Sequence, residues 1–137
     1  MKYIVSALLL CSAIWLSNCK PKDADPEKAD NPLDAGREFI RASLDGSYNR
    51  AYFYTLKDSL NEELLQRWRE SYQQIPREER ENYSQASIII NKVENVNDSI
   101  TIINYSNSYK KTPLDLKVIR YKPDEWLVDF KYTFSGD

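Results

Sequence analysis

Histidine is absent from this chain of 137 residues. That removes the commonest general base and the commonest metal ligand together. Glycine occurs at Gly36, Gly46 and Gly136 only, too sparsely for a loop that cradles phosphate. Acidic side chains nowhere follow the alternating Asp pattern of a calcium loop, so the residue types imply neither a metal nor a cofactor. Positive charge is not in excess either: 19 Lys and Arg face 21 Asp and Glu, a formal net charge of -2. Nucleic acid is therefore not an expected partner, because phosphate binding needs a basic footprint. What remains is 42% hydrophobic and 29% charged residues, ordinary composition for one globular domain.

The first nineteen residues carry the strongest pattern. Lys2 precedes an apolar stretch from Ile4 to Leu16. Those thirteen residues would span roughly 20 Å as a helix, short of the ~30 Å hydrocarbon core, so they predict a signal peptide and not a membrane anchor. Leu16-Ser17-Asn18-Cys19 then resembles the bacterial lipobox. The resemblance implies cleavage between Asn18 and Cys19 and a diacylglycerol on the Cys19 sulfur, hence a membrane partner through a lipid anchor and a place in the cell envelope, at the outer membrane. An ordinary secretory signal with a chance cysteine is the alternative. Cys11 would leave with residues 1–18, so the processed chain has no cysteine pair for a disulfide or a zinc site. Only Lys2 is lost from the charge count, which leaves 18 basic and 21 acidic residues, or -3. Residues 19–32, from the lipidated Cys19 through a run rich in proline and charge, predict a flexible tether.

From residue 33 to 137 the pattern predicts one domain. Asn31-Pro32 with Asp34 reads as a helix start, and Gly46 as its stop. Between them Leu33, Ala35, Phe39, Ile40, Ala42 and Leu44 fall on one side. A shorter helical piece is expected from Tyr48 to about Leu56. A longer helix opens on Ser59-x-x-Glu62, read as a capping box, and stops at Pro76; its stripe is Leu60, Leu64, Leu65, Trp68, Tyr72 and Ile75. After the charged run Arg77 to Glu81 the period changes from 3.6 to 2. Strands are expected at residues 87–96, 99–109, 114–121 and 126–134, split by turn material, with Val118 opposite Val128, Leu116 opposite Phe130 and Lys117 opposite Asp129 in the last hairpin. Helices followed by an antiparallel meander make the expected fold α+β, with the helices on one face of a curved sheet of about four strands.

This element order, with Trp126-Leu127-Val128-Asp129 on the last strand and the opening Phe39-Ile40 … Leu44-Asp45-Gly46-Ser47-Tyr48-Asn49-Arg50-Ala51-Tyr52, resembles the nuclear transport factor two-like cone. The resemblance implies a cone-like domain over residues 33–134, similar to small envelope lipoproteins without known activity. Some cones, such as ketosteroid isomerase and scytalone dehydratase, are enzymes with an Asp or His base inside and Tyr or a carboxylic acid nearby. Asp129 is the candidate that such chemistry would use. The alternation of Trp126, Val128, Phe130, Tyr132 and Phe134, however, places Asp129 on the opposite side beside Lys131, where a carboxylate is normally solvated or paired.

Three function classes follow. The favoured one is a non-catalytic module that binds a partner protein or a small apolar ligand. The others are an isomerase- or dehydratase-type enzyme using Asp and Tyr, and a structural subunit of an envelope complex. The expected core face joins Trp126, Val128, Phe130, Leu116, Val118, Ile100 and Ile102 to Phe39, Ile40, Leu64 and Trp68. That assignment turns Ile103, Tyr105, Ile119 and Leu127 outward, as the expected interface for a homodimer or an envelope partner.

Overall fold

A computed structural model describes residues 25–135. The expected lipidation site Cys19 and the expected cleavage after Asn18 lie outside the described residues. Four helices precede the sheet: α1 (Pro32–Asp45), α2 (Tyr48–Phe53), α3 (Ser59–Gln74) and α4 (Arg77–Gln85). The sheet is antiparallel, in the order β1 (Ile88–Asn97), β2 (Ile100–Asn107), β3 (Leu114–Lys122) and β4 (Glu125–Asp129). A 3-10 helix, Phe130–Phe134, ends the described chain. The fold is α+β, with helices packed on one side of a four-stranded open sheet.

Local chemistry sets the limits of α1. The Asn31 side chain accepts the N–H of Asp34 at 2.9 Å, and Pro32 takes the first turn, where its missing N–H costs nothing. At the other end Gly46 adopts φ +69°, and the N–H of Ser47 returns to the carbonyl of Ala42 at 2.9 Å. A side chain at Gly46 would also collide with the ring of Tyr72, whose hydroxyl donates to the carbonyl of Leu44 at 3.0 Å. Gly36 lets α1 approach the sheet: a Cβ there would lie 2.5 Å from the Cδ1 of Ile103.

The core lies between α1 and the sheet. Phe39, Ile40, Ile103, Leu116, Val118 and Val128 are fully buried, with Leu65, Ala51 and Phe130 around them. Trp126, Leu64 and Trp68 pack on its border, half-buried. Register decides this face. Val118 pairs with Val128 and Lys117 with Asp129, as the hairpin pattern predicts. On β2, by contrast, Thr101 pairs with Val118 and Ile103 with Leu116. Odd positions of β2 therefore face the helices, and the expected core residues Ile100 and Ile102 face away.

Several local expectations need correction. The second helical piece ends at Phe53, after which residues 54–56 run beside the edge of β4, with Leu56 N–H on the Val128 carbonyl at 2.8 Å and Val128 N–H on that of Tyr54 at 2.7 Å. The cap of α3 is Asp58, not Ser59: its carboxylate accepts the Asn61 N–H at 2.9 Å. The charged run after Pro76 forms α4, which buries no residue and so carries no apolar stripe for the eye to find. The last strand stops at Asp129 because Lys131 gives its N–H to the side chain of Asn61 at 2.7 Å instead of continuing the ladder. Phe130 then turns inward onto Phe39, ring centroids 5.2 Å apart, so the expected pairing of Leu116 with Phe130 does not form. Finally, residues 25–31 of the expected tether lie on the domain: Tyr54 donates to the Glu27 carbonyl at 2.7 Å, Lys28 meets Asp124 at 3.3 Å, and Ala29 packs against the core.

Candidate functional site

Asp129 ends β4 on the side of the sheet turned away from the core, opposite Lys117. Among the described residues it is the one charged residue that is buried as a whole. Charge in such a place must be paired. Its Oδ1 receives the Lys131 Nζ at 2.8 Å and the Asn61 Nδ2 at 3.1 Å, and its Oδ2 faces the Lys117 Nζ at 3.6 Å. Asp58 joins from the cap of α3, accepting from Lys131 Nζ at 2.8 Å and from Asn61 Nδ2 at 2.9 Å. Two carboxylates, two ammonium groups and one amide thus neutralise one another. Hydrogen bonds from Lys131 and from the Asn61 N–H hold the Asp58 carboxyl below its ordinary range. Those with Asp129 and Asp58 hold the Lys131 ammonium above its own.

The arrangement is that of a latch joining α3, β4 and the 3-10 helix. A groove of about 440 Å³ runs beside it, lined by Leu60, Leu64, Lys117, Asp129, Lys131, Tyr132, Phe134 and Ser135. Lys117 stands 5.6 Å from the centre of the Tyr132 ring. Asn61 and Asp58 were not among the residues the sequence singled out. Their three-residue spacing at a helix start signals a cap, and nothing local signals that Asn61 reaches 68 residues along the chain.

The four residues of the expected interface separate. Ile103 is fully buried in the core, and Tyr105, on the same side of β2, packs half-buried against it. Burial pushes the Tyr105 phenol up to about 12. Neither belongs to an outer face. The reason is that β2 carries isoleucine at 100, 102 and 103, so hydrophobicity alone does not choose its inner side. Ile119 and Leu127 do lie on the outer side, in one row with Ile100. Ile100, Ile102 and Ile119 are half-buried there, while Leu127 is covered to 5% exposure.

A second groove, of about 430 Å³ and mostly apolar, opens where the N-terminal segment meets the β3–β4 hairpin. Pro26, Phe53, Lys57, Tyr121, Lys122 and Leu127 are among its walls. A third, of about 310 Å³, lies between the α1–α2 turn and α3, with Tyr48, Trp68, Arg69 and Tyr72 in its lining. Among the described residues no three His, Cys, Asp or Glu side chains come together as a metal site. No helix of the described residues is long and apolar enough to cross a membrane. No family model, curated protein or solved structure matches this chain.

Proposed function

We propose that this chain is a cell-envelope lipoprotein, cut before Cys19 and anchored by lipid there, whose α+β domain is a non-catalytic binding module of the nuclear transport factor two-like kind. One observation carries the non-catalytic half of this reading. The side of the sheet that faces the helices, where the enzymes of that group keep their acid and base, is occupied by the fully buried Phe39, Ile40, Ile103, Leu116, Val118 and Val128. Asp129 points the other way and is committed to Lys131, Asn61 and Lys117. An enzyme of this class needs an ionisable group turned into a pocket and free to exchange a proton. A binding module needs only an accessible apolar surface. The outer row of Ile100, Ile102 and Ile119 supplies one.

The anchor rests on Lys2, the apolar run and Leu16-Ser17-Asn18-Cys19. Fractionation of cells expressing Cys19→Ser tests it: the variant should leave the membrane fraction or accumulate at precursor size, because the acyl acceptor is gone. Retention at mature size in the membrane fraction would sink the lipoprotein reading. For the module, detergent-solubilised wild type and an Ile102→Glu, Ile119→Glu variant should be compared in native-envelope pull-downs. A partner present with the first and missing with the second is the expected result. Turnover of a small molecule that depends on Asp129 would overturn it.

A further inference from the structure

We propose that the end of the domain bearing the β3–β4 hairpin rests on the phospholipid headgroups, with Phe53 and Tyr121 as its interfacial contacts. The inference rests on the lipid anchor at Cys19 and goes beyond it by assigning the face that meets the membrane. The described chain begins at Asp25, and Pro26 forms part of the groove that Phe53, Tyr121, Lys122 and Leu127 enclose. Glu27 and Lys28 are held on the domain by Tyr54 and Asp124, so the chain from Cys19 joins the domain at this groove. Six peptide units separate Cys19 from Asp25 and reach about 21 Å at full extension. A small folded domain is about 30 Å across, so no globular partner fits between this groove and the bilayer. The bilayer surface itself is the occupant the tether allows.

The chemistry of the surface agrees. Tyr121 is 55% exposed and Phe53 38%, high values for rings with a core available. The Lys122 Nζ lies 5.3 Å from the centre of the Tyr121 ring, and the Lys57 Nζ 4.2 Å from that of Tyr52. Aromatic rings flanked by lysine suit the headgroup layer, where one part of the side chain is apolar and the other wet. The strands give the orientation. Ile100 pairs with Ile119 and Ile119 with Leu127, so the β1–β2 and β3–β4 turns lie at the same end of the sheet. Leu114, at the start of β3, is eight residues from Lys122, about 25 Å along the strand.

The test uses the mature lipidated chain in vesicles of phosphatidylethanolamine and phosphatidylglycerol that carry a headgroup nitroxide. A fluorophore is placed on Lys122→Cys or on Leu114→Cys, both exposed, with the acylated Cys19 unable to compete. Quenching should be severalfold stronger at position 122 than at 114. Adding Phe53→Ser and Tyr121→Ser should lower the quenching at 122 while vesicle flotation persists. A chain that floats but is quenched equally at both positions, or at neither, overturns the orientation and leaves the anchor standing. Self-association with 122 shielded from lipid would give that face to a second copy and overturn it too. A chain that does not float, with Cys19 unmodified by mass, overturns the anchor and the orientation together.

Discussion

Asn61 on the first turn of α3 donates its side-chain amide to Asp129 at the end of β4 over 3.1 Å, and the same residue accepts the backbone N–H of Lys131 at 2.7 Å. One buried amide therefore ends a strand, ties it to the first turn of α3 and donates to the only wholly buried charge among the described residues. Replacing Asn61 with Ala leaves the part-buried Lys131 N–H without its acceptor and takes from the Asp129 Oδ1 one of its two donors, Lys131 Nζ being the other. The expected loss is about 2–4 kcal/mol of stability, since an orphaned buried polar group costs more than a hydrogen bond contributes. Urea denaturation of wild type and variant measures it; a loss within experimental error would mean that water replaces the amide.

The same cluster sets a pH dependence. The Asp58 carboxyl is held below its ordinary 3.8 by Lys131 and the Asn61 N–H. Its stabilisation is then fully present above 3.8 and lost as pH falls through the lower folded value. Lys131, raised from 10.5 by Asp129 and Asp58, contributes fully below 10.5, a contribution lost as pH rises through its folded value. Asp58→Asn keeps a capping side chain but removes the charge. It should flatten the acid limb of a stability-against-pH curve while changing α3 little. An acid limb identical to that of the wild type would place the acid sensitivity elsewhere.

Gly36 and Ile103 form a coupled pair. Gly36→Ala gains about 1 kcal/mol of helix propensity, but its Cβ meets the Cδ1 of Ile103 at 2.5 Å in a fully buried setting. Overpacking should win, with a net loss of about 1–2 kcal/mol. In an Ile103→Val background the offending carbon is absent, and the next neighbours stand at 3.6 and 3.7 Å. There Gly36→Ala should become neutral or stabilising. A double-mutant cycle by thermal or urea unfolding detects the change of sign; simple additivity would refute the close approach.

Arg41 explains how a helix with no buried residue stays in place. Its Nη1 donates to the carbonyl of Ala86 at 2.8 Å, and its Nη2 to those of Ser84 at 3.0 Å and Tyr83 at 3.3 Å, with Asp45 at 3.1 Å behind. The guanidinium fork thus satisfies the carbonyl end of α4. Arg41→Lys keeps the charge but not the fork. Amide hydrogen exchange should accelerate over residues 77–85 with global stability reduced by about 1–2 kcal/mol. Unchanged exchange there would show that Tyr83 packing alone holds the helix.

How much of this was legible depended on the range of each interaction. The start of α1 at Asn31-Pro32 and its stop at Gly46 are decided within one turn of chain, and they stand where the sequence puts them. The pairing of Val118 with Val128 is likewise near-neighbour chemistry, since a two-residue turn joins β3 to β4. α4 escaped notice because its residues carry no stripe, and the arginine that holds it comes from α1. Asp129 was legible as facing away from the core, whereas its partners Asn61 and Asp58 were not.

By itself, then, the sequence determined the class of fold and the order of its elements apart from α4 and the closing 3-10 helix, because caps, turns and hydrophobic periods act over a few residues. Tertiary structure alone decided which side of β2 is inner. Isoleucines at 100, 102 and 103 satisfy either side equally, and only pairing of Ile103 with Leu116 beneath the gap at Gly36 breaks the tie. It alone also curled the end of β4 inward, since a buried Asn61 outcompetes the next rung of the ladder for the Lys131 N–H.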